Sequence, residues 1–204
     1  MKTNKNEEKE NKMKIKLSDI IERPCEEYYD HIVNTYGKDG EFDPIEVIEK
    51  LEGGVDEICW LIENCKRCQT SEMVEYCKSL GPNYRSVGLL IRNCKPCQTP
   101  EMLEYYKSLK PSYNDISWFI MNCEFYQTAE MLEYYKSLKP SYNDVAWLIV
   151  NCKFCQTAEM LEYFKSLNPS YEDVSSIIEG CEFCQTGEMR KYEDSLKEKN
   201  PCLR

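Results

Sequence analysis

Histidine is almost missing from this chain: His31 is the only one in 204 residues. A Cys-His or Ser-His nucleophilic site needs an imidazole base, so it could be built only around that residue. The eight glycines form no phosphate-cradling loop, and no H-E-x-x-H or EF-hand ligand series is present. Basic residues are outnumbered, 26 against 36 acidic, for a net charge of −10. That balance disfavours nucleic acid and anionic membranes as partners, because both are held by basic patches. No run of about 18 apolar residues exists, so no transmembrane helix is expected. The opening stretch MKTNKNEEKENKMKIK lacks the apolar region of a secretory signal, so none is expected. Residues 1–13 are predicted to be a disordered charged tail. Strand-like alternation is missing as well; apolar residues recur at helical spacing.

Cysteine, in contrast, is abundant, with 13 residues. Without a secretory signal, a reducing cytoplasmic setting and free thiols are expected. The cysteines belong to a repeat. Gln69, Gln98, Gln127, Gln156 and Gln185 follow one another at intervals of 29 residues, a period that marks repeat architectures. Each unit accommodates two helices. The first follows Gln-Thr, as in TAEMLEYYKSLK, with Thr128 as N-cap and Glu130 at the positive end of the helix dipole. Pro100 suits the first helical position of a sibling unit. The second helix follows KPSYND, where Ser112 and Asp115 form a capping-box pattern. Pro111, Pro140 and Pro169 separate the two. The column Asn64, Asn93, Asn122, Asn151, Gly180 reads as a left-handed stop after the second helix.

First helices present Met131, Tyr134 and Leu138 as an apolar stripe, and second helices present Val145, Leu148 and Ile149. Neither buries its face alone, but stacked units do. The predicted fold is therefore all-α, a right-handed αα solenoid of 29-residue helix-turn-helix repeats. Its array spans 43–186, preceded by a capping-helix region at 14–42 and followed by a terminal helix and tail at 187–204. Within the first region a helix is expected near 24–36, with Ile32 and Val33 inward; Asp43 and Pro44 cap the next. In the last unit Arg190 and Glu193 replace the apolar columns of Leu132 and Tyr135. Ser176 likewise ends the column Trp60, Leu89, Trp118, Trp147. These columns are expected to face the next unit, since leaving each such side chain exposed forgoes about 1.5–3 kcal/mol.

The paired-helix units resemble the αα-hairpin repeat class: tetratricopeptide, pentatricopeptide, HEAT and Sel1-like proteins. The likeness covers residues 24–198 and is one of architecture, with a shorter period than those families use. It implies a solenoid that binds other macromolecules by surface, and no family's binding residues carry over.

The units end in NCKRCQT, NCKPCQT, NCEFYQT, NCKFCQT and GCEFCQT. The C-x-x-C pairs allow two quartets, Cys65, Cys68, Cys94, Cys97 and Cys152, Cys155, Cys181, Cys184, of a type that binds zinc. Equivalent turns of neighbouring units should lie about 8–10 Å apart, too far for one tetrahedral ion. Small buried packing residues are therefore the favoured reading, with no metal or cofactor; zinc and redox chemistry are alternatives. Tyr126, which replaces a cysteine, is expected at the turn edge with its hydroxyl in water. His31 falls in the tryptophan column and reads as packing. Glu104, Glu133 and Glu162, each followed three residues on by Lys107, Lys136 and Lys165, read as a solvated face. Tyr105, Tyr134 and Tyr163 read as core. The column that varies most, Glu63, Arg92, Met121, Val150, is the candidate partner-binding surface. The expected function is non-enzymatic, a scaffold for another protein. Alternatives are a zinc-stabilised cysteine-rich repeat or an acidic decoy of a nucleic-acid-binding partner.

Overall fold

The computed structural model describes residues 13–199. The predicted charged tail therefore falls outside the described residues, apart from Met13, as does the end of the C-terminal tail. Among the described residues the chain is all-α, with twelve α-helices, no strand, and two isolated β-bridges. It divides into two compact units, 1–110 and 111–204.

The first unit holds α1 (Glu26–Tyr36), α2 (Pro44–Lys50), α3 (Val55–Asn64), α4 (Ser71–Ser79), α5 (Tyr84–Asn93) and α6 (Pro100–Ser108). Helix α3 packs on α4 and α5, and α5 on α6. The second unit holds α7 (Tyr113–Asn122), α8 (Ala129–Ser137), α9 (Tyr142–Asn151), α10 (Ala158–Ser166), α11 (Tyr171–Gly180) and α12 (Gly187–Lys199). There α9 lies against both α7 and α11, while α8, α10 and α12 pack on α7, α9 and α11 respectively.

Local chemistry sets these boundaries. The hydroxyls of Thr70, Thr99, Thr128 and Thr157 accept from the N–H of Met73, Met102, Met131 and Met160, at 3.2–3.3 Å. Each satisfies one of the orphan donors of a helix start. Ser112, Ser141 and Ser170 close capping boxes with Asp115, Asp144 and Asp173. Asp43 accepts from Ile45 and Glu46 N–H, with Pro44 at the first helical position. All of these match the sequence patterns.

The left-handed stop lies elsewhere than expected. It is carried by Gly81, Lys110, Lys139 and Asn168, with φ of 69°, 55°, 55° and 54°. Each follows the first helix of a pair and directly precedes a proline, whose ring disfavours αR geometry in the residue before it. The asparagines are instead the last helical residues. Asn64, Asn122 and Asn151 donate from Nδ2 to the carbonyls of Trp60, Trp118 and Trp147, at 2.7–2.9 Å.

Second helices bury the residues expected of them, with Val145, Leu148 and Ile149 all fully inaccessible. The stripe of the first helices is turned by one residue. Met131, Leu132 and Tyr135 are buried, whereas Tyr134 and Leu138 are half-exposed. The neighbouring helices take this phase as well, with Met102, Leu103 and Tyr106 in α6 and Met160, Leu161 and Phe164 in α10. In α12 Met189 stays buried and Arg190, in the Leu132 column, is exposed.

Candidate functional site

The turn between one second helix and the next first helix is a single 3₁₀ turn: Lys66–Cys68, Lys95–Cys97, Glu124–Tyr126, Lys153–Cys155 and Glu182–Cys184. Inside it the fourth residue of each motif donates its N–H to the carbonyl of the first cysteine at 2.9–3.0 Å. A glutamine holds the turn to the helix it leaves. Gln69, Gln98, Gln127 and Gln156 donate from Nε2 to the carbonyls of Ile62, Ile91, Ile120 and Ile149, at 3.0–3.2 Å. These are last-turn carbonyls that the helix itself cannot satisfy. The invariant spacing of the glutamines was the visible signal for this role.

All twelve described cysteines are free thiols, and all but Cys25 are buried. The zinc quartets are not gathered: among the described residues no three His, Cys, Asp or Glu side chains converge on a common point. The cysteines stay in pairs, each confined to its own turn. In the Cys94–Cys97 pair the sulfurs are 3.1 Å apart. A further close contact, 3.8 Å, joins Cys59 of α3 to Cys77 of α4. Tyr126 is not at a wet edge. Its ring is 0% exposed and stacks on Phe119, centroids 5.1 Å apart. The larger Phe119 stands where α9 has Leu148, so an aromatic pair replaces the aliphatic–thiol pair.

The carboxylate–lysine ladder is only half solvated. Glu133 is exposed, but the Lys136 side chain is 13% exposed. Its ammonium meets Glu133 at 2.9 Å and also Glu159 on α10, above the Tyr163 ring. The Tyr163 hydroxyl donates to the Lys136 carbonyl, 3.2 Å. Lys165 repeats the arrangement with Glu162, Glu188 and Tyr192. Burial opposes the charge on Lys136, but the hydrogen bonds it donates to Glu159 and Glu133 outweigh it and hold its pKa above the ordinary value. Lys136 in turn lowers that of Glu159. Tyr105, Tyr134 and Tyr163 are thus half-buried platforms, and the buried rings are their neighbours Tyr106, Tyr135 and Phe164.

The tryptophan column also departs from expectation. Leu89, Trp118 and Trp147 are 38%, 39% and 49% exposed. They lie on the outer side of α5, α7 and α9, because the two residues that follow each of them, Leu90 and Ile91, Phe119 and Ile120, Leu148 and Ile149, fill the interior instead. Of the candidate partner residues, Met121 and Val150 are half-buried, one turn beyond Trp118 and Trp147 on the same helix faces. Helices α7 and α9 pack together, and each carries one such tryptophan with an apolar residue one turn on. In the first unit Arg92 is exposed, and Glu63 accepts from Asn93 Nδ2 at 3.0 Å.

A cleft of about 320 Å³ lies in the first unit, lined mainly by apolar groups that include Ile32, Phe42, Val47 and Trp60. Burial, with Glu57 adding to it, pushes the Tyr28 phenol at its edge up to about 12. His31 is half-buried, and its Nε2 has no hydrogen-bond partner among the described residues. No described helix is long and apolar enough to cross a membrane. No family model, curated protein or solved structure matches the chain.

Proposed function

We propose that this chain is a non-enzymatic αα-repeat protein, a solenoid of 29-residue units, that binds another protein. The observation that carries this reading is the surface of Trp118, Met121, Trp147 and Val150. Two tryptophans at 39% and 49% exposure on adjacent helices leave apolar area in water that folding would otherwise remove. Tryptophan is the side chain most enriched among residues that dominate protein–protein binding energy. The other exposed residues of these two helices are Asn114, Asn122, Asn143 and Asn151, so the patch has a polar surround such as interfaces use. Arg92 and Glu63 occupy the equivalent positions of the first unit and supply charge in place of Met121 and Val150.

The double variant Trp118→Ser, Trp147→Ser tests this, since serine already stands in that column at Ser176. Affinity capture from native host extract should recover a defined protein with the wild type and lose it with the variant. Retention of the same protein by the variant sinks the assignment of this surface. Both rings are about half covered and Trp118 meets Phe119 edge-on at 4.9 Å, so the variant should lose up to about 1.5–3 kcal/mol per ring, and its circular dichroism is checked to show that it is folded.

A further inference from the structure

The cysteine pairs are not required by this reading of the function, and their geometry suits a chemistry of their own. We infer that the C-x-x-C turns are oxidative modification sites, dithiols that a peroxide closes to a disulfide within one turn. The pairs of the second unit, Cys152–Cys155 and Cys181–Cys184, react ahead of those in the first.

Proximity is the first ground. The Cys94 and Cys97 sulfurs stand 3.1 Å apart, roughly 1 Å longer than a disulfide bond of about 2.05 Å. The other pairs sit in the same 3₁₀ turn with the same backbone bond, 2.9 Å in Cys68→Cys65, Cys155→Cys152 and Cys184→Cys181. In the Cys94–Cys97 pair closure therefore needs side-chain rotation and little more, and the shared backbone turn places the other pairs for the same closure.

Division of labour is the second. The neighbouring Cys155 lowers the pKa of Cys152; burial opposes this, and the N–H groups of Cys155 and Phe154 add to the lowering. The thiolate form of Cys152 is favoured, while Cys155 is held protonated by Cys152 and by burial. Cys65 and Cys94 are favoured in the same way by Cys68 and Cys97. A thiolate is the nucleophilic form, and its neighbour is placed to resolve what it becomes.

The steps balance. The Cys152 thiolate attacks one peroxide oxygen, the O–O bond breaks, and the departing hydroxide leaves as water with the thiol proton. Cys152 is then a sulfenic acid. The Cys155 sulfur attacks that sulfur, the S–O bond breaks, and the hydroxyl leaves as a second water with the Cys155 proton. Two thiols have lost two electrons, and hydrogen peroxide has become two waters. Access sets the order. Cys152 and Cys181 are 4% exposed, within reach of an oxidant close to water in size, whereas Cys65 and Cys94 are 0% exposed. Tyr126 supplies an internal control, because Cys123 has no second thiol in its turn.

The test uses the full chain, reduced, freed of reductant and treated with hydrogen peroxide under native conditions. Remaining thiols are alkylated, sulfenic acid is trapped with a cyclic 1,3-dione, and peptides are mapped without reduction. Alkylation should be lost jointly at Cys152 and Cys155, and at Cys181 and Cys184, with an internal disulfide in each. The pairs Cys65–Cys68 and Cys94–Cys97 should follow, and Cys123 should carry the trap and no such bridge. In Cys155→Ser the trap should move to Cys152. Joint retention of alkylation at Cys152 and Cys155 after Cys25 has been consumed overturns the proposal. So does passage of Cys152 to sulfinic acid without a disulfide. If Cys155→Ser fails to fold, the wild-type map decides alone.

Discussion

The turn after α7 and the turn after α9 have the same backbone and different contents. Both are 3₁₀ turns held by a glutamine to an isoleucine carbonyl seven residues back, and both lead into a threonine cap. One encloses Cys123 and a buried Tyr126 stacked on Phe119, the other a buried Cys152 and Cys155. The difference teaches that backbone, glutamine and threonine set the turn. The cysteine column is a filled space that accepts either a thiol or a ring when its neighbour changes too. The dithiols are therefore separable from the fold, and chemistry at them need not compete with folding.

The comparison breaks most visibly at its aromatic end. Tyr126→Ala should cost about 3–5 kcal/mol through the cavity it leaves, while Cys155→Ala at the equivalent place should cost about 1 kcal/mol. Urea midpoints followed by circular dichroism check both, and equal losses would show that the cysteine packs as tightly as the ring. Next in size is Gln156→Ala, which strips the Ile149 carbonyl of its partner and should cost roughly 1–2 kcal/mol. The same change at Gln127 should cost as much, if the two turns share one hydrogen-bond frame. Thr157→Ala, or Thr128→Ala in the other turn, should each cost about 1 kcal/mol as a lost cap. The smallest effect lies beyond the turns, at the lysine clamp. Glu159 has a folded pKa below its unfolded value of about 4.3, so its contribution is present above that pH. It is lost as pH falls through the folded value. Lys136 contributes below the unfolded lysine value of about 10.4 and loses that contribution as pH rises through its raised folded value. Glu159→Gln should therefore make both the acid and the alkaline limb of the stability–pH curve shallower, because the same carboxylate also holds the Lys136 pKa up.

The sequence showed helices and caps plainly because those signals are local. Thr128, the Ser112–Asp115 pair and Asp43–Pro44 act within four residues of themselves, and the structure uses them as read. Val145, Leu148 and Ile149 were legible because three apolar residues at helical spacing fit one face alone. In the first helices consecutive tyrosines, as at Tyr134–Tyr135, leave two faces equally apolar, so the pattern alone does not fix the phase that buries Tyr135. The left-handed column is hard to read because its lysines, Lys110 and Lys139, carry no left-handed signature, and only Gly81 and Asn168 in it do. The joining of Ile15 to Phe42, with N–H···O bonds of 2.9 and 3.0 Å in both directions, and of Ile21 to Asn64 at 2.8 Å, was invisible. Those contacts link segments with no shared period. Trp118 and Trp147 were misjudged for another reason: periodicity shows which residues align, not whether the aligned stripe meets protein or water.

That last feature decides how unfolding of this protein can be observed. The chain has three tryptophans, and Trp118 and Trp147 already meet solvent in the native state at 39% and 49% exposure. Their emission starts closer to that of an unfolded chain than the emission of the half-buried Trp60 in the first unit does, so loss of structure in the second unit moves the spectrum less. A melting curve taken from tryptophan light is thus weighted toward the first unit, and quenching by a neutral solute such as acrylamide reports the second before any unfolding begins.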